Sequence, residues 1–167
     1  MSDLTYPDAG ATEHDRLPAG YHHFRMSTDL GRGDALMARA SDALMTFGVQ
    51  RGAGLRPVAS APRAAVGVIV IGRPGVGPLA LSVPCRVVWA ADEPRRAGFG
   101  CGTLPGHPER GEEGFVLNHD ADDIVRFHVR SFSAPARWFS RAAGPLLHVA
   151  TDAASRRYIT AMRRLVR

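Results

Sequence analysis

A chain of 167 residues that is 45% hydrophobic and 22% charged has the size and composition of one folded domain with a buried core, which excludes global disorder. All 21 basic residues are arginine, set against 16 acidic residues for a net charge of +5. Apart from the pairs Arg95/Arg96, Arg156/Arg157 and Arg163/Arg164 they are scattered, with no aromatic-interleaved basic stripe, so nucleic acid is not an expected partner. No apolar run approaches the ~20 residues that span a bilayer, and the first residues lack a basic segment followed by an apolar one. A cytoplasmic location without integral membrane association is expected.

Residues 1–18 are polar and punctuated by Pro7, Gly10 and Pro18, and are expected to wrap the surface of a single domain spanning 19–167. Residues 21–28 alternate, with His22, Phe24, Met26 and Thr28 on one side, which predicts a strand. LGRGD then punctuates, and Asp34 can cap a helix to about Phe47, with Leu36, Met37, Ala40, Ala43, Leu44 and Phe47 on its apolar face. Gly48, Gly52 and Gly54 end that helix. Six strands are predicted next, over 55–59, 66–71, 79–91, 98–104, 112–118 and 124–132. The separators GRPGVGP, ADEPRR, PGHPERG and NHDADD carry the residues that tight turns need, so most neighbouring strands should pair antiparallel. Ser133 and Pro135 signal a helix start, and Gly144-Pro145 should kink or interrupt that helix. A longer helix then carries Leu146, Leu147, Ala150, Ala154, Tyr158, Ala161, Met162 and Leu165 on one face, while Arg156, Arg163, Arg164 and Arg167 face water.

The most distinctive stretch is residues 98–115, GFGCGTLPGHPERGEEGF. In an extended strand Gly98, Gly100 and Gly102 share one face, and Phe99, Cys101 and Thr103 share the other. The glycines are expected to hollow one face of this strand beneath the last helix. Strand, helix, six strands and a long C-terminal helix pack economically as an α+β fold, a curved antiparallel sheet of about seven strands gripping that helix. Such a sheet and a straight helix cannot touch everywhere, so a cavity between them is expected.

That element order is similar to the helix-grip fold of START-like and Bet v 1-like proteins, a resemblance that implies a domain for hydrophobic ligands. The 98–115 motif, with RVVWAADEP before it and SFSAPARW, GP and RRY after it, resembles the family catalogued as domain of unknown function nineteen-ninety. With the upstream LPAGY and LGRG, the resemblance covers nearly the whole chain and brings no established activity. The chain departs from the family pattern, which has tyrosine where Cys101 stands, tryptophan where Phe47 stands and an aromatic or histidine near Gln50.

Glu113 shares a strand face with Phe115 and Leu117 and is the candidate inward carboxyl, able to act as a general acid or to hold a polar ligand group; the alternative is a structural carboxyl. His107, fixed between Gly106 and Pro108, is the candidate partner, with Glu109 beside it at a pocket mouth. Trp89, Phe99, Cys101, Thr103, Glu109 and Tyr158 complete the candidate ligand-binding set. His107, Glu109, His119 and Asp120 are metal-ligating types without ligand spacing, and His22 and His23 point to opposite strand faces, so no metal is expected. Cys85 and Cys101 read as reduced thiols, with Cys101 a small hydrophobe rather than a nucleophile. GRPGVGP leads into another strand and LGRGD lacks a phosphate-loop lysine, so both read as turns and no cofactor is expected. Three functions remain: binding of a hydrophobic small molecule; a cyclase, dehydratase or hydrolase using Glu113 and His107; and an interaction module built on the arginine-bearing helix, either a dimer or a partner of a membrane surface.

Overall fold

The computed structural model of the protein describes residues 3–75, 81–143 and 145–167. Its strands are β1 (His22–Arg32), β2 (Val58–Ala59), β3 (Ile69–Gly72), β4 (Val83–Glu93), β5 (Arg96–Thr103), β6 (Glu109–His119) and β7 (Ile124–Pro135). They form one antiparallel sheet in the order β1-β7-β6-β5-β4-β3-β2, a meander from β2 to β7 with β1 returned to the far edge beside β7. The helices are α1 (Asp34–Met45), α2 (Gly48–Gly52), α3 (Trp138–Ala143) and α4 (Pro145–Leu165). The curved sheet and its C-terminal helix are the expected α+β architecture.

Several boundaries move for local reasons. The first strand runs through LGR to Arg32, with a register shift between Asp29 and Gly31 that absorbs an extra residue. Gly33 occupies the cap of α1, and Asp34, expected as the cap, is the first helical residue. The helix expected to reach Phe47 stops at Met45, because Phe47 adopts a left-handed conformation (φ 61°, ψ 20°) that redirects the chain into α2. Ser133 and Pro135 do not begin a helix. They pair with Gly111 and Glu109, so the β6–β7 ladder continues to Pro135 and the helix waits until Trp138. The beginning of the predicted 79–91 strand and the end of GRPGVGP lie outside the described residues.

The main core lies between the concave face of the sheet and the helices. Phe99, Phe115, Leu117 and Phe127 from the sheet meet Met37 and Leu44 of α1 and Met162 of α4, all at 2% exposure or less. Each such side chain contributes roughly 1.5–3 kcal/mol by leaving water. Among the described residues the C-terminal half of α4 joins this core, through Tyr158, Ile159, Ala161 and Met162, with Val166 just beyond the helix. Leu146 at 76% and Leu165 at 45% exposure, both expected on the buried stripe, face outward instead.

The convex face is covered by the N-terminal segment. Thr5 donates its amide to the Thr103 carbonyl at 3.1 Å, and Tyr6 and Leu17 pack with Phe132 in a second apolar cluster. The Glu112 carboxyl anchors the segment, accepting hydrogen bonds from the Tyr6 hydroxyl (2.6 Å), the Gly10 amide (2.7 Å), the Thr12 amide (2.9 Å) and the Thr12 hydroxyl. The glycines of β5 face this layer rather than α4, which reverses the sequence-based expectation. A Cβ on Gly100 would lie 2.1 Å from Trp89 Nε1, and one on Gly102 would lie 2.2 Å from the Tyr6 hydroxyl. The bare strand face therefore admits an indole and the N-terminal segment.

Candidate functional site

On the concave face, between the sheet, α2 and α4, lies a cavity of about 350 Å³. Strand alternation builds its floor. Cys101, Glu113 and Ser131 are cross-strand partners on β5, β6 and β7, so they form one transverse row, and Phe99, Phe115 and Val129 form the next. Phe47, Gln50 and Leu55 supply one wall, and Ala150, Thr151, Ala154, Ser155 and Tyr158 of α4 close the opposite side. Phe47 and Phe99 meet edge to face with ring centroids 5.5 Å apart.

Two carboxyl groups give this apolar space a polar end. Glu113 Oε1 accepts a hydrogen bond from Ser155 Oγ at 2.7 Å, and the Tyr158 hydroxyl also bonds to this carboxyl. Burial pushes Glu113 up to about 7, the two hydroxyls acting against that shift and the nearby Glu109 adding to it. Burial likewise raises Tyr158, with Glu113 reinforcing the effect, so the phenol stays protonated. Glu109 accepts from Ser133 Oγ at 2.9 Å and from Thr151 Oγ1 at 3.2 Å, and burial raises it as well.

The other candidates separate into distinct roles. His107 lines the cavity, but its Nδ1 lies 3.0 Å from both the amide nitrogen and the carbonyl oxygen of Glu109. Its hydrogen bonds hold the loop rather than Glu113, and burial lowers its pKa to about 4, leaving a neutral imidazole. Thr103 lines the cavity edge, yet its hydroxyl is engaged with both backbone groups of Gly111 and with the Thr5 hydroxyl. Cys101 faces the cavity as a free thiol, and burial, then Cys85, then Glu113 push it up, which suppresses the thiolate a nucleophile needs. Cys85 is also free and pushed up to about 12 by burial; its cross-strand partner is Thr103, while Cys101 faces Val87.

Trp89 does not line the cavity. It projects to the convex face and donates its indole N–H to Thr12 Oγ1 at 2.9 Å, extending the hydrogen-bond chain that ends on Glu112. His22 bonds to Asp152 at 2.9 Å and stacks on His148 with centroids 4.2 Å apart, whereas His23 bonds to the Pro18 carbonyl. His119 bonds to Asp123 at 2.7 Å, and neither His119 nor Asp120 lines the cavity. Among the described residues no group of three or more His, Cys, Asp or Glu side chains could hold a metal ion, and no helix is long and apolar enough to cross a membrane.

Gln50 is a lining residue absent from the sequence-derived candidates. It is 3% exposed, and neither its amide nitrogen nor its amide oxygen has a partner among the described residues. Its signal was its position, three residues after Phe47, where the apolar spacing of the preceding helix would continue.

Comparison with known proteins fits this architecture. A protein of Thermus thermophilus superposes with a TM-score of 0.62 at 11% identity, over 87% of this chain and 97% of the other. A norcoclaurine synthase point mutant from Thalictrum flavum superposes with a TM-score of 0.58 at 13% identity, over 90% of this chain and 97% of the other. At these identities the likeness establishes the fold, which is the helix-grip fold of Bet v 1-like proteins. In sequence, a UPF0548 protein of Deinococcus radiodurans is 37% identical over 165 residues, covering 92% of this chain and 83% of the relative. The family model described as domain of unknown function (DUF1990) matches residues 5–161, and the chain belongs to that family.

Proposed function

We propose that the protein binds a hydrophobic small molecule in the cavity between the sheet and α4. The observation that carries this reading is a space of about 350 Å³ bounded by Phe47, Leu55, Val70, Phe99 and Phe115, with the hydroxyls of Ser133, Thr151 and Ser155 taken up by Glu109 and Glu113. That volume would hold about a dozen waters, and it lies within the range of small-ligand pockets, which combine apolar walls with a few orienting polar groups. Native mass spectrometry of the purified protein should reveal a co-purifying molecule. Ala154→Phe, which puts a ring into the cavity from the α4 side, should abolish binding of that molecule while leaving the circular dichroism spectrum unchanged. Unaltered binding in the Ala154→Phe variant overturns the reading.

A proton-transfer enzyme of the same fold is the second reading, and the raised pKa of Glu113 beside two hydroxyl groups favours it. A carboxyl that titrates near neutrality can give and take protons at working pH. In this reading Glu113 acts with Tyr158, and His107 positions the loop. Glu113→Gln should then abolish conversion of the co-purifying molecule without releasing it from the cavity. Conversion that persists in the variant refutes it.

A further inference from the structure

Gln50 combines deep burial with two unmatched polar atoms on a cavity wall. A primary amide offers two donors and one acceptor, and burying them unmatched carries a cost that a suitable partner removes. The side chain is held in place from below. The backbone carbonyl of Gln50 accepts the Leu55 amide at 3.0 Å, and the left-handed Phe47 fixes the start of the short helix. Gly52 presses that helix onto α4 so closely that an added Cβ would lie 3.1 Å from the Ala161 methyl. The amide is thus presented to the cavity by a rigid platform.

The charge of the lining narrows what it can meet. The titratable lining groups are Glu109, Glu112, Glu113, His107, Cys85, Cys101 and Tyr158, and no arginine is among the described lining residues; the Glu112 carboxyl is taken up by the N-terminal segment on the opposite face of the sheet. Burial keeps His107 neutral, so a buried ligand carboxylate or phosphate would face two carboxyl groups and no cation. The hydroxyls of Ser133, Thr151 and Ser155 already donate to those carboxyls. Anionic ligands are disfavoured, and Gln50 requires a group that both donates and accepts, which an ammonium, a donor only, does not supply.

We propose that Gln50 is a specificity-determining residue for a neutral ligand bearing a carboxamide or lactam on an apolar body, the two amide groups pairing reciprocally through one N–H···O bond in each direction. This rests on the cavity-binding reading above and adds the class of ligand to it. Each partner supplies what the other lacks, and the apolar body lies against Phe47, Phe99 and Phe115.

Calorimetric titration of the full chain at pH 5.5, below the value of about 7 to which burial raises Glu113 and above the value of about 4 to which it lowers His107, with four probes of equal chain length, octanamide, octanoate, octylamine and 1-octanol, tests the assignment. Octanamide should bind about tenfold or more tightly than octanoate and octylamine. Gln50→Leu should weaken octanamide by about tenfold or more while leaving 1-octanol within about twofold. If Gln50→Leu fails to fold, Gln50→Met keeps an unbranched side chain of similar length and should give the same result. Octanoate or octylamine binding as well as octanamide overturns the proposal, as does an unchanged octanamide preference in the folded variant; the latter would mean that the amide is matched by water. If none of the probes binds, 1-octanol included, the cavity reading itself fails, and an intact response to 1-octanol separates the two failures.

Discussion

Replacing Glu113 with Gln keeps the shape of the side chain and an oxygen to accept the Ser155 and Tyr158 hydroxyls, while removing the proton that titrates. In the unfolded chain the carboxyl loses that proton near its ordinary value of 4.5; in the folded protein burial holds it until about 7. An acid whose folded pKa is raised leaves stability intact below the unfolded value and lowers it as pH climbs to the folded value. At ~1.4 kcal/mol for each pH unit between those values, the wild-type protein loses about 3 kcal/mol by pH 8, and the Gln variant loses none of it. For a chain of 167 residues this corresponds to roughly 6–12 °C in melting temperature. Urea unfolding at intervals from pH 4 to 8, followed through Trp89, which is 5% exposed and should report global unfolding, gives the stability difference between the two proteins directly. That difference should shift by about 3 kcal/mol in favour of Glu113→Gln, mostly between pH 4.5 and 7. A difference that stays constant over this range refutes the placement of Glu113 in a desolvated site.

His107 should tilt the profile the other way. Its folded pKa is lowered to about 4 from 6.5, so the contribution is present above 6.5 and is lost as pH falls towards 4, by up to about 3 kcal/mol. Over their shared window the two residues oppose one another. His107→Asn should therefore steepen the loss of stability with rising pH relative to wild type, and the same urea titrations would detect an absent effect. On the convex side, Gly100→Ala places a methyl 2.1 Å from Trp89 Nε1. Because that indole is tied to Thr12, the strain should cost about 1–3 kcal/mol and raise hydrogen exchange in the N-terminal segment; unchanged stability would show that Trp89 moves aside freely.

Much of the architecture comes from residue pattern alone. Alternation over short segments bounded by glycine, proline, asparagine and aspartate specifies seven strands, because side-chain direction along a strand has period two whatever the strand packs against; six of them pair as sequence neighbours, while β1 pairs with β7. The same rule separates Phe99, Cys101 and Thr103 from the intervening glycines and puts Glu113 on the face of Phe115. It leaves open which face becomes concave. Both sides of β5 are covered, one by α1 and the other by an N-terminal segment whose Tyr6, Thr12 and Leu17 are as buried as core residues. Local sequence does not record that choice, which depends on sheet curvature and on contacts about a hundred residues apart, such as those from Tyr6 and Thr12 to Glu112. Trp89 went to the convex face for that reason. Gln50 stood out only as a departure from the family pattern, because the left-handed turn at Phe47 breaks the helical period that would have marked it as a polar residue on an apolar face. His107 was legible as a constrained loop histidine, but its binding to the Glu109 backbone instead of Glu113 depends on how the loop folds back on itself. The sequence by itself determined the strands, the long helix and the two faces of the glycine-bearing strand, because these depend on neighbours along the chain. The tertiary structure decided which face encloses the cavity and which polar groups converge there, because burial and hydrogen bonding between distant residues exist only once the sheet has curved around its helix.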